Sequence, residues 1–164
     1  MKVEHPAAFR FIINEDIYLL PHDKEQQSKK VVKVAETTLF SFNYQGKNIK
    51  NFLILTHYDD QEFINSAHFT ALESILSRKG YQPEDVAILN IARNNADLEA
   101  IVMHFAPERL LVLGAKAVPN GMTEPQFNTI ITTTPYRILY SFSFDDMMDN
   151  KANKLAFWEQ MKNL

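Results

Sequence analysis

The 164-residue chain has no cysteine and four glycines, and each shortage excludes a class of chemistry. Without cysteine there is no disulfide, thiolate metal site, iron–sulfur cluster or cysteine nucleophile, a composition compatible with a reducing, cytoplasmic setting. The four glycines form neither a GxGxxG nor a GxxxxGK[ST] loop, so the close backbone approach to phosphate that such nucleotide sites need is missing. A GxSxG nucleophile elbow is missing as well. No apolar run approaches the ~18–20 residues that cross a bilayer. The opening stretch "MKVEHPAAFRFIINEDIYLLP" scatters charges among its apolar residues instead of forming a signal-type run. A soluble, cytoplasmic protein is expected. The net charge of −3 argues against a broad basic nucleic-acid-binding surface.

What the chain does have is a globular composition. A hydrophobic share of 46% at this length is enough for one domain with a full core. The one polar, charge-rich run, "DKEQQSKKVVK" (residues 23–33), follows Pro21. It divides the chain into an N-terminal arm (1–20), a mobile loop (21–36) and a single body (37–164). In "TTLFSFNYQGKNIKNFLILT", Leu39, Ser41 and Asn43 alternate with Phe40, Phe42 and Tyr44, a period of two. The stretch predicts two strands joined by a turn at Gln45–Asn48, the second strand being the continuous apolar run Phe52–Leu55. A helix over Asp60–Arg78 follows, striped by Ile64, His68, Leu72 and Ile75 and stopped at Gly80.

"VAILN" (Val86–Asn90) and "RLLVL" (Arg109–Leu113) read as buried strands, with a helix between them carrying Leu98, Ile101, Val102 and Phe105 on one side. "FNTIITTTP" and "YRILYSFSF" read as further β segments, and "DDMMDNKANKLAFWEQMKNL" as a closing helix. Alternating helices and doubly buried strands predict a three-layer α/β/α fold around a mostly parallel sheet. In the closing helix Leu155, Trp158 and Met161 are spaced by three, which puts the indole at the centre of the inward face and Phe157 at its edge. Trp158, the only tryptophan, is the expected structural anchor.

Candidate chemistry is sparse. His5, His22, His57, His68 and His104 show no metal-ligand spacing, so no metal site is expected. No cofactor site and no catalytic residue is assigned. The feature worth testing is "LILTHYDD", which sets His57, Tyr58 and Asp59 just past the carboxyl end of a strand, where open α/β sheets keep their sites. There Asp59 could orient water while Tyr58 stacks on a base. Alternatively Asp59 or Asp60 caps the helix that follows. Glu84–Asp85, after Pro83, looks like turn chemistry.

The ending "SFSFDDMMDNKANKLAFWEQM" (Ser141–Met161) resembles the C-terminal segment of the psi subunit of bacterial DNA polymerase III. Ser141, Asp146, Asn150, Lys154, Trp158 and Gln160 match that family without a gap, and Lys151 stands where it has proline. "ALESILSRKGYQPEDVAILNI" and "LLVLG" resemble its helix–loop–strand and a later strand, and "IINEDIYLLP" its short N-terminal segment. The resemblance implies a uracil-DNA glycosylase-like fold, and "APERLLVLGAKA" is similar to a glycosylase strand and helix start.

The family's role would be non-catalytic: joining the clamp-loader collar to a chi subunit, which touches single-strand-binding protein. Nucleic-acid contact would be weak or indirect, with no membrane. Glycosylase chemistry needs an activating carboxylate in a glycine–proline-rich loop and a His-Pro-Ser loop. The corresponding places here are Thr56–Asp60, without glycine or proline, and Tyr140–Ser143, without histidine. His57, Tyr58, Asp59, Ser141 and Ser143 would then line a vestigial pocket. Partner binding is assigned to the arm, through Phe9, Phe11, Ile13, Ile17 and Tyr18. A DNA-repair enzyme with an altered site is the alternative, and a small-ligand-binding regulator a more distant one.

Overall fold

The computed structural model describes residues 41–164. The expected arm and loop, and the start of the first expected strand, lie outside the described residues. The elements run β1 (Tyr44–Gly46), β2 (Phe52–Thr56), α1 (Ser66–Arg78), β3 (Val86–Asn90), α2 (Leu98–Phe105), β4 (Arg109–Leu113), β5 (Thr129–Thr132), β6 (Arg137–Ser141), α3 (Phe144–Met148) and α4 (Lys151–Met161). One mixed sheet has the order β1-β3-β2-β4-β6-β5. Its four central strands are parallel, and β1 and β5 pair antiparallel along its edges.

The register explains why the central strands are apolar throughout. Leu53, Ala87, Leu110 and Ile138 lie side by side in one row, and Ile54, Ile88, Leu111 and Leu139 in the next. The second row packs with Leu72 and Leu76 of α1, Met147 of α3, and Phe157 and Met161 of α4. The first row packs with Ile101 and Phe105 of α2 on the opposite face. Helices therefore cover both faces, and every residue of β2 and β3 is buried. Each large side chain so placed contributes about 1.5–3 kcal/mol of transfer free energy.

Gly80 closes α1 as expected. With Gly80 at φ 75°, its N–H donates to the Ser77 carbonyl and that of Tyr81 to Leu76, which satisfies the last turn.

Three expectations need correction. β1 does not form a hairpin with β2, because both edges of β2 are taken by parallel strands; β1 pairs with β3 instead. Gly46 makes that pairing possible: a Cβ there would sit 2.0 Å from the Val86 carbonyl oxygen. Next, α1 starts at Ser66, not Asp60, and its cap is Asn65, whose side chain accepts from the Ala67 N–H. Finally, the closing helix is two helices, broken at Asn150. There the backbone is extended (φ −131°, ψ 111°), and the side chain accepts from the Ala152 and Asn153 N–H groups to start α4 anew.

Candidate functional site

Open parallel sheets place ligands outside the carboxyl ends of their strands, where successive crossovers leave in opposite directions. Here that point lies between β2 and β4, since β2 leads through α1 to β3 on one side while β4 leads on toward β6 on the other. Asp59, on the loop after β2, and Lys116, on the loop after β4, approach each other across it at 3.7 Å. His57 Nε2 lies 3.7 Å from the other Asp59 oxygen. Asp59 and Lys116 are largely exposed, and such surface pairs contribute little. Neither Asp59 nor Asp60 caps α1.

Behind this surface the polar groups are tied to one another. The Tyr58 hydroxyl is hydrogen-bonded to Nδ1 of His68 at 2.9 Å, and His68 Nε2 faces Asp145 of α3 at 3.7 Å. The imidazole also stacks on Phe144, 5.3 Å between ring centres. Burial, and after it the Asp145 charge, push the Tyr58 hydroxyl far above its ordinary value, so it remains a neutral phenol. This chain links the end of β2 to α1 and α3. It ties the loop after β2 to the helices, and its phenol stays protonated.

The expected vestigial pocket is only partly assembled. Ser141 is fully buried at the end of β6, where its hydroxyl donates to Asn128 Oδ1 at 2.8 Å. Ser143 is the N-cap of α3, in a reciprocal capping box with Asp146. Gly114, at φ 90°, passes so close to Ser143 that an added Cβ would lie 2.9 Å from the serine Cβ. The two serines thus serve the scaffold, while His57, Tyr58 and Asp59 follow β2, which β4 separates from β6.

Sequence reasoning missed Asn90. It is 1% exposed and ends β3. Its Oδ1 accepts from the N–H groups of Tyr58 and Ala92, and its Nδ2 donates to the Tyr58 and Gln61 carbonyls. Asn90 therefore ties down the Tyr58 and Gln61 main chain on either side of Asp59, whose own carbonyl accepts from Arg93. An asparagine ending an otherwise apolar, doubly buried strand was the available signal.

Trp158 also departs from expectation. Phe157 and Met161, four apart, point into the core at 2% and 0% exposure, and Leu155 is 59% exposed. Trp158 is half-buried, packed against the edge of the core with the Arg78 guanidinium 5.8 Å from its ring centre. The inward face of α4 is thus rotated by about one residue, ~100°, from the predicted one. The indole forms one wall of an open groove of about 360 Å³ between α1, α3 and α4, lined by Ala71, Ile75, Met147 and Met148, with Lys154 at its edge.

The predicted partner residues Phe9, Phe11, Ile13, Ile17 and Tyr18 lie outside the described residues. Among the described residues no cluster of three or more histidine, aspartate or glutamate side chains could hold a metal ion, and no helix is long and apolar enough to cross a membrane. No protein-family model matches the chain, and no curated protein matches it.

Proposed function

We propose that the chain is a non-catalytic, psi-like accessory subunit of a polymerase clamp-loader complex, working in the cytoplasm as a bridge between protein partners. The observation that carries this reading is where the residues of the C-terminal resemblance fall. Ser141 ends β6, Asp146 completes the cap of α3, Asn150 starts α4, and Lys154 and Trp158 line the open groove. Asp146 and Asn150 thus set the start of the two helices α3 and α4, and Lys154 and Trp158 face the groove between them and α1. The polar groups nearest the strand ends meanwhile bond to one another, which favours a scaffold over a reaction centre. A uracil-DNA glycosylase-like ancestry belongs to the same proposal, and the strand order and carboxyl-end loops are compatible with it.

In this reading the arm, through Phe9, Phe11, Ile13, Ile17 and Tyr18, supplies the contact to the clamp-loader collar, and a chi-like subunit is a second partner. The test is co-purification of the tagged full-length chain with clamp-loader subunits from its own cells, with and without residues 1–10. The full chain should retain the subunits and the truncated chain lose them, while the thermal transition moves by no more than a few degrees. Retention by both would shift the contact to the body. Failure of the full chain to retain any clamp-loader subunit would remove the proposal. Uracil excision that depends on Asp59, measured on single- and double-stranded DNA, would install the repair-enzyme alternative.

A further inference from the structure

The groove beside Trp158 does not end at the indole. On its other side a second hollow of about 330 Å³ is lined by Arg78, Lys79, Tyr81, Arg109, Lys162 and the chain's last residues. Arg78 and Trp158 border both. One side of this continuous surface is apolar and the other cationic.

The cationic side stands out in a chain of net charge −3. Lys79 Nζ donates to the Met161 carbonyl at 2.7 Å, Arg109 Nε to Leu164 at 3.1 Å, and Arg137 to the carbonyls of Asn163 and Leu164. These bonds anchor the end of α4, and among the described residues the ion pairs of these cations are Arg109 with Glu108 at 3.8 Å and Lys162 with Glu159, while Arg78, Lys79 and Arg137 pair with no aspartate or glutamate. Burial, with Arg109 and Arg137 nearby, pushes the Lys79 amine below its ordinary value, as expected where cations crowd. Glu159 is held by Lys162 at 2.6 Å, so two side-chain carboxylates, Glu108 and Glu159, stand against the five cations Arg78, Lys79, Arg109, Arg137 and Lys162. Among the described residues Arg78 meets the indole and no carboxylate.

The apolar side is suited to a flexible side chain. Met147 is buried beneath it, Met148 is 43% exposed at its mouth, and methionines repack readily around varied shapes. Ala71 and Ile75 join them. Of the aromatic rings on this surface Phe144 is stacked by His68, Phe157 is buried, and Arg78 and Lys50 lie over Trp158 and Tyr81, which leaves little free ring face for a nucleobase.

We infer that the seam between α1 and α4 is a docking surface for a short acidic–apolar segment of a protein partner. A large apolar side chain fills the groove between Trp158 and Met148, and carboxylates next to it in the segment meet Arg78, Lys79 and Lys162. This contact is on the body of the protein, independent of the arm and of the clamp-loader reading.

The chain's single tryptophan reports on it directly. The full-length protein is titrated with a synthetic peptide of four aspartates followed by leucine and phenylalanine, and Trp158 emission is followed. Controls are the same peptide with lysines for aspartates, the same peptide with alanines for the apolar pair, and an oligothymidylate. The acidic–apolar peptide should give a saturable change in emission, and each control peptide should bind at least about tenfold more weakly. Arg78→Glu should weaken binding by a similar factor with the fold intact by circular dichroism. If that variant does not fold, Lys154→Glu at the groove edge tests the same charge. No saturable change up to about 1 mM peptide would overturn the inference, as would tighter binding of the oligothymidylate or equal binding of the lysine peptide.

Discussion

Phe157 and Trp158 are adjacent in sequence and have exchanged the roles that spacing suggests. A helix side chain moves ~100° around the axis per residue, so one position decides between core and groove. Phe157 is enclosed by the sheet and α1, whereas Trp158 keeps part of its ring in solvent. Phe157→Ala should therefore cost about 3–5 kcal/mol, the range for emptying a full aromatic site. Trp158→Ala should cost less, about 2 kcal/mol, since the indole is only partly buried at the edge of the core. Chemical denaturation of both variants checks the order, and a tryptophan variant less stable than the phenylalanine variant would contradict the assignment. The period-three stripe Leu155–Trp158–Met161 misled because it and the true pair Phe157–Met161 share Met161. Hydrophobicity alone cannot choose between two overlapping stripes.

At the scale of elements, the ends of helices are set by side chains that the sequence displays, once the competing candidates are separated. Asn65, Asp97, Ser143 and Asn150 each accept an N–H in the first turn of their helix. Asp59 and Asp60 have the right residue type, but the loop that Asn90 fixes keeps them away from α1. The start of α4 offers a direct test. Lys151 is the first helical residue, and Asn150 before it is extended at φ −131° and ψ 111°, a conformation that a following proline favours. The N–H lost at that position has no partner within the helix. Lys151→Pro should thus be neutral or raise stability by about 0.4–1 kcal/mol, mainly by restricting the unfolded chain. A thermal or denaturant midpoint that falls by the equivalent of more than ~1 kcal/mol would show that α4 starts elsewhere.

For the whole molecule, long-range polar clips complement the apolar layers. Lys50, in the β1–β2 loop, reaches Asp85 at the entrance to β3, with 2.8 Å between Nζ and Oδ2. The same oxygen accepts the Gln82 N–H. The Lys50 hydrogen bond first, then that backbone N–H, hold the Asp85 carboxyl below its ordinary value. Because the folded state binds the proton less readily than the unfolded chain, the clip is at full strength above the unfolded value of about 3.9. Its contribution is lost as pH falls through the depressed folded value. Asp85→Asn should consequently be less stable than the parent at pH 7, with the gap narrowing below about pH 4. Denaturation curves taken across that range measure it, and a gap that stays constant or widens in acid would rule out the linkage.

The sequence determined the central architecture by itself. Phe52–Leu55, Val86–Asn90 and Arg109–Leu113 are apolar at every step or nearly so, and such segments are stable only when covered on both faces, as adjacent parallel strands between helices. It likewise determined the stop at Gly80 and the turn before β3, where local backbone chemistry leaves few options. The tertiary structure decided what depends on partners distant in sequence. It moved β1 to β3 because β2 had no free edge, turned α4 by one residue to place Phe157 in the core, and drew Ser141 and Ser143 into the scaffold. It also joined Tyr58, His68 and Asp145, residues of ordinary type that three separate elements bring together. Local pattern reports which residues must avoid water. Only the packed sheet and its covering helices settle which neighbour each one meets.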